Sequence, residues 1–278
     1  MLSNRLAFVV SLLALQLQVA AGAQQTYLLT DIGPSTVTVG THMQLAINAS
    51  GQIVGTSEQA NGADMAWVWT PSSANASTGT FASLPVPSGT HQSEAEGINS
   101  SGQIVGSREY PSGTTKVKGK TIVVYTWVGV EWQSNGSEVD LPAGFGTVAN
   151  AINDSGEMVG GTTLLVNGNI YSLPGGSAVS INKSGQVAGW LDGTGTTGYL
   201  WTPSSPNGTS GSYVTFSFDA SQVNDLGQVV GGPYYQSVIA DLFSISTGVQ
   251  VLLSPPPNSG ATSANSINNL GQVVGFTQ

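Results

Sequence analysis

Histidines, neighbouring acids and clustered lysines are the groups through which a chain this poor in charge could do chemistry. The 278 residues include two histidines and no cysteine. His42 lies in Gly40-Thr41-His42 and His91 in Gly89-Thr90-His91, nearly matching places ahead of a repeated motif. Two imidazoles on adjacent units could share a rim and hold a metal ion. No third ligand keeps their spacing, so no zinc or iron site is assigned. Glu94 and Glu96 alternate, which would put both on one side of a strand. Hydrolysis by paired carboxylates needs such closeness, but a solvated approach to the strand is the preferred reading. Asp154-Ser155-Gly156-Glu157 and Asp192-Gly193-Thr194-Gly195 lack the dense oxygen ligands that Ca²⁺ takes. No Ser-His-Asp pattern, nucleophile elbow or phosphate-cradling glycine run is present. The expectation is no catalytic, metal-binding or cofactor-binding residues, no cofactor, and a ligand-binding site that the residues do not identify.

Lys116, Lys118 and Lys120 alternate within an insertion, which would place them on one face as protection against strand pairing. Trp67, Trp69, Trp127, Tyr199 and Trp201 recur at matching places and read as packing between units. Trp132 and the Tyr234-Tyr235 pair fall outside that pattern and are expected to be exposed contact residues.

The elements that must position these groups are announced by a motif written six times. Each copy reads apolar-Asn-x-x-Gly-(Gln/Glu)-apolar-apolar-Gly, beginning at Ile47, Ile98, Ile152, Ile181, Val223 and Ile267. Such self-similarity outranks local propensity. The turn residues are Asn48 and Gly51, Asn99 and Gly102, Asn153 and Gly156, Asn182 and Gly185, Asn224 and Gly227, and Asn268 and Gly271. The Asn side chain can bond the backbone two residues on, and the Gly can take the left-handed conformation that a tight reversal demands. The final Gly marks a bend or a close backbone approach. The pair before it, such as Ile104-Val105, would point to opposite faces of a strand, so both faces should be buried.

Another apolar or aromatic strand and then a shorter one follow each copy, which makes four strands per full unit. Successive central glycines lie 51, 54, 29, 42 and 44 residues apart, in keeping with propeller blades of about 40–45 residues. Asn61-Gly62, Pro71 to Gly79, Tyr110 to Lys120 and Pro203 to Gly211 are expected to be surface loops. The fold class expected is all-β, a β-propeller of about six four-stranded blades. The sixth copy supplies two strands before Gln278. The N-terminal strand Tyr27 to Ile32 would complete that blade and close the ring, removing sheet edges. Either the last blade is three-stranded or the chain lacks its natural C-terminus.

Residues 1–23 read as a signal peptide, with Arg5, an apolar run over Leu6 to Leu15 and a cleavage site at Ala21-Gly22-Ala23. Residues 24–278 then form a single propeller domain, secreted to the extracellular space or periplasm. With 40% apolar residues in evenly placed runs, the chain is not disordered. Without Arg5, five cationic side chains stand against fifteen acids. That balance opposes nucleic acid and anionic membranes as partners.

The motif and its downstream aromatic strand resemble the bacterial extracellular HAF repeat family. The family's His-Ala-Phe strand is represented by Met65-Ala66-Trp67, Ile239-Ala240-Asp241 or Tyr199-Leu200-Trp201, always without the His. Its Asp-Leu-Gly element is represented by Asp31-Ile32-Gly33 and Asp140-Leu141-Pro142. The resemblance implies an exported, propeller-like repeat protein and lends no chemistry. The expected function is a secreted or cell-surface, non-enzymatic binding module, monomeric, with a glycan or surface protein as partner. The alternatives are an extracellular carbohydrate-active hydrolase or lyase on a propeller, and a purely structural envelope protein.

Overall fold

A computed structural model describes residues 38–39, 45–191, 197–232, 239–253 and 262–277. The leader, the expected strand over 27–32, His42, the Asp192 to Gly195 run and Tyr234-Tyr235 lie outside the described residues.

The motif dictates the local structure first. In unit 2 the Asn99 Oδ1 accepts from the backbone N–H of Ser101 at 3.2 Å and of Gln103 at 3.0 Å. The Gly102 N–H returns to the Asn99 carbonyl at 3.1 Å, and Gly102 sits at φ +80°. That left-handed backbone is open to Gly at little cost. The reversal joins two antiparallel strands, and the pattern recurs at each copy.

All described elements are strands, arranged as six small antiparallel sheets, one per motif copy. Units 2 to 5 have four strands each in sequence order. Unit 2 holds Gln92–Ile98, Ile104–Val117, Lys120–Trp132 and Glu138–Asp140. Unit 4 holds Ser177–Ile181, Val187–Trp190, Gly198–Pro203 and Gly211–Phe216. Unit 1 follows the plan and gains Thr38–Val39 against Ser57 and Glu58. Unit 6 contributes Thr262–Ile267 and Val273–Thr277. No described helix is long and apolar enough to cross a membrane.

The core lies between sheets rather than within them, because the two apolar residues ahead of the last motif Gly serve different neighbours. Val54 of unit 1 packs with Ala95, Ile98, Ile104 and Trp132 of unit 2. Val105 of unit 2 packs with Ile152, Met158 and Leu165 of unit 3. Val159 meets Ile181 and Val187, Ala188 meets Val223 and Val229, and Val230 meets Ile267. So the first residue of each pair faces the preceding unit and the second faces the next. A strand buried on both faces gives that apolar doublet.

The last motif Gly is required by the same stacking. A Cβ at Gly106 would overlap the Glu94 carbonyl oxygen of the adjoining strand, and one at Gly231 would overlap that of Asp219. The first and second strands therefore approach more closely than any side chain permits.

Several sequence expectations are corrected. Tyr110 to Lys120 is not a loop. Ile104–Val117 and Lys120–Trp132 form a long hairpin, paired to its tip at Val117 and Lys120. Lys118 and Gly119 have φ of 50° and 78°, the two left-handed residues of a type I′ turn. That turn separates the lysines, so Lys116 and Lys120 do not share a face as their spacing suggested: Lys116 pairs across from Thr121, and Lys120 from Val117.

Trp132 is not an exposed contact residue. It is 1% exposed, and its indole N–H donates to the Pro85 carbonyl at 2.7 Å. It pairs with Ile104 just as Trp69 pairs with Ile53 and Trp201 with Val187. Trp132 is the regular aromatic of unit 2, and Trp127, opposite Glu109, belongs to the hairpin.

Candidate functional site: a channel shared by six units

The first strands of all six units line one cavity of about 710 Å³. Two layers of its wall come from the residues just before each motif. The layer two residues ahead of the motif's first apolar residue is Leu45, Glu96, Asn150, Val179, Ser221 and Asn265. The next is Ala46, Gly97, Ala151, Ser180, Gln222 and Ser266.

In units 2, 4, 5 and 6 a β-bulge creates the first layer. Strand register shifts between Ala95 and Gly97, Ala178 and Ser180, Ala220 and Gln222, and Ala264 and Ser266. The cross-strand register skips the residue in each gap, and a bulge re-aims such a side chain. The bulge also undoes the expected pairing of acids. Glu96 lines the cavity, whereas Glu94 is absent from its wall and accepts from the Ser107 hydroxyl at 3.4 Å. The alanines before the bulges are buried, from 0% exposed at Ala178 to 6% at Ala220, because the last motif Gly of the same sheet closes on that stretch.

Beyond this wall the motif turns form one mouth of the channel, a further space of about 450 Å³. Here the turn asparagines do more than shape their own reversals. Each donates its Nδ2 to the backbone carbonyl of the next Asn: Asn48 to Asn99 at 3.0 Å, Asn99 to Asn153 at 3.1 Å and Asn153 to Asn182 at 3.1 Å. Asn182 reaches Asn224, and Asn224 reaches Asn268, both at 2.9 Å. The same Nδ2 donates to the Gln or Glu four residues on, as from Asn182 to Gln186 at 2.8 Å. The side chains of the first five are buried and satisfied, from Asn99 at 2% exposed to Asn48 at 9%, while Asn268 is exposed.

The residue after each Asn forms an outer tier at the mouth. Asp154 accepts from the Ser100 N–H at 2.8 Å and its hydroxyl at 3.0 Å. Asp225 accepts from the Lys183 N–H at 3.1 Å, the Lys183 ammonium at 3.2 Å and the Asn269 amide at 2.7 Å. Burial alone would raise the Asp225 pKa, but those donors and the lysine charge outweigh it and hold it below the usual 3.8. Both mouth aspartates thus cross-brace neighbouring units.

His91 sits away from this mouth. Its Nδ1 lies 2.7 Å from Glu109 Oε2, and its ring lies 4.5 Å from that of Tyr125, at the base of the unit 2 hairpin. His42 lies outside the described residues, so the shared rim has one described member. Among the described residues no three His, Cys, Asp or Glu side chains gather as a metal would require.

The channel wall offers hydroxyls, amides and one carboxylate, that of Glu96. Several are already engaged, Glu96 among them: Asn150 donates to the Ala178 carbonyl at 2.7 Å, and Gln222 accepts from the Ser266 hydroxyl and the Ile267 N–H. Such a wall can exchange hydrogen bonds with a neutral, hydroxyl-rich molecule. Apart from Glu96, the sequence did not single these residues out, since they precede the repeated block. Their signal was there to be read as a repeat column, a buried Ala followed by a residue of no fixed type.

No protein-family profile matches the chain, and no curated protein sequence matches it. Among solved structures it is similar to one titled "Structure of YjhT", at 10% identity and a TM-score of 0.46, over 89% of this chain and 95% of that one.

Proposed function

We propose that the chain is a secreted, non-enzymatic binding module built from HAF-like repeats, which takes a hydroxylated ligand such as a glycan at its channel. The observation that carries this reading is the contrast between the two layers of one surface. The asparagine layer is the same in all six units and is spent on holding neighbours together. The layer at Leu45, Glu96, Asn150, Val179, Ser221 and Asn265 holds five residue types in six units, with only Asn occurring twice. A position that the scaffold leaves free to vary is where a scaffold hosts recognition. Secretion would follow cleavage near Ala23.

The finer architecture belongs to the same proposal: a six-bladed propeller whose sixth blade is completed by the N-terminal strand over residues 27–32. The cavity shared by six first strands supports it. So does the seam between units 6 and 1, where Ile47 is 66% and Val274 38% exposed although Ile98 and Val54, their counterparts at the next interface, are buried. An uncovered apolar pair of that kind is what a closing strand would bury.

A glycan array combined with turnover assays on polysaccharides tests the function. The expected outcome is binding without turnover, lost when Glu96→Leu and Asn150→Leu are combined. Turnover would replace the reading by a carbohydrate-active enzyme, and binding untouched by the double substitution would move the site away from the channel.

A further inference from the structure

The hairpin of unit 2 breaks the plan of the other units. Its inner part pairs with neighbours on both sides, as far as Glu109 on one strand and Gly129 on the other. Outside that, Tyr110–Trp127 stands as a two-stranded arm, roughly 25 Å long at strand rise. Every residue from 111 to 126 is exposed. Val117, Ile122, Val123, Val124 and Tyr125 are between 38% and 49% exposed, on both faces. An isolated hairpin bearing that much apolar surface is marginal in water.

The two free edges of the arm differ. The Ile104–Val117 edge carries Pro111, a register shift at Ser112, Gly113 and Lys116. Those are four devices that discourage a further strand. The Lys120–Trp132 edge reads Thr121-Ile122-Val123-Val124-Tyr125-Thr126-Trp127, with no charge, no proline and no glycine. Nothing among the described residues pairs with it. An uncharged, β-branched edge of this length is a template for strand addition.

We propose that this edge is the interface with a second copy of the chain, the two Lys120–Trp132 strands pairing antiparallel about Val124. Three observations favour a second copy over other occupants. The two-fold gives a sheet of four arm strands whose outer edges are the two blunted ones, so assembly stops at two. Antiparallel pairing puts the lysine tips at opposite ends, each over the base of the other copy. The arm has three lysines and no acid in a chain of net charge −9, so the rest of each molecule is more acidic still and attracts the other's tip. An anionic membrane fits less well, since the net charge of −9 on the chain repels it. The sequence reading expects a monomer; the arm argues for a dimer. This inference does not rest on the channel, and Val124→Lys leaves the channel untouched.

Sedimentation and light scattering on the full chain test it. The expected result is a dimer that weakens with added salt. Val124→Lys, which sets two like charges directly opposite at the two-fold, should weaken it by roughly tenfold or more. As the chain has no cysteine, Val124→Cys should form a disulfide-linked dimer under mild oxidation, and Val117→Cys at the tip should not. A chain that stays monomeric up to about 100 μM, a Val124→Lys variant with unchanged dimer affinity, or a monomer that co-sediments with phosphatidylserine vesicles would each overturn the proposal.

Discussion

At Glu157 the repeat departs from its own pattern, since the other five copies carry Gln52, Gln103, Gln186, Gln228 and Gln272. The Glu157 side chain is 2% exposed, accepts from Asn153 Nδ2 at 2.6 Å through one oxygen, and leaves Oε1 without a partner. Burial raises its pKa above the ordinary 4.5, only partly opposed by the Asn153 amide. A carboxyl with a raised folded pKa favours folding while protonated. That contribution is complete below the unfolded pKa and is lost as pH rises through the folded one. Glu157→Gln should therefore raise the melting temperature at pH 7–8 by ~2–4 °C and change it little near pH 4. An equal shift at both pH values would contradict this account. Arg108 is the complementary case: 8% exposed, it donates to Glu138 at 2.5 Å and Asp140 at 2.6 Å while lying over the Tyr110 ring. Arg108→Ala strands a buried acid and should cost about 3 kcal/mol or more in urea unfolding. Adding Glu138→Gln should recover part of that loss, as a coupled pair requires.

Among elements, the two motif glycines can be separated by experiment. Gly102 needs only its positive φ, and a methyl there would meet nothing nearer than Gln52 Oε1 at 3.5 Å. Gly102→Ala should cost about 1 kcal/mol. Gly106→Ala would push a methyl into the Glu94 carbonyl and should cost about 3 kcal/mol. Equal losses in denaturant titrations would mean that the two glycines share one role. The strand plan of each unit was legible because the motif fixes where a sheet reverses and the apolar doublet fixes what it packs against. The arm was not. Pro111, Gly113 and three lysines have loop composition, yet cross-strand pairing and a Lys118-Gly119 turn hold them extended. Treating that stretch as a loop shifted the aromatic alignment and cast Trp132 as exposed. The channel wall was missed for a related reason: a bulge changes the phase of alternation, so counting by twos from Glu94 placed Glu96 on the wrong side.

On the scale of the whole molecule, stability is passed between neighbours, because each apolar cluster belongs to two consecutive sheets. A unit with a neighbour on one side only is the weakest member of such an array. In the proposed ring no unit has that status, and residues 24–33 supply the missing contact. Deleting Gln24 to Gly33 should then lower the melting temperature by more than ~5 °C, whereas an unchanged melt would rule out that strand as the closing piece.

The asparagine ladder also has a sense of rotation. Every rung donates forward, from one unit's amide to the next unit's carbonyl, so the ladder is a head-to-tail circuit with Asn268 at its donor end and Asn48 at its acceptor end. The two ends are chemically complementary, and the circuit could be completed without any new residue type. Asn182→Ala removes a rung in mid-circuit and should cost about 3 kcal/mol. If the circuit is broken between its ends, Asn268→Ala should cost markedly less, because it lacks a carbonyl ahead of it. Equal costs would mean that current flows all the way round.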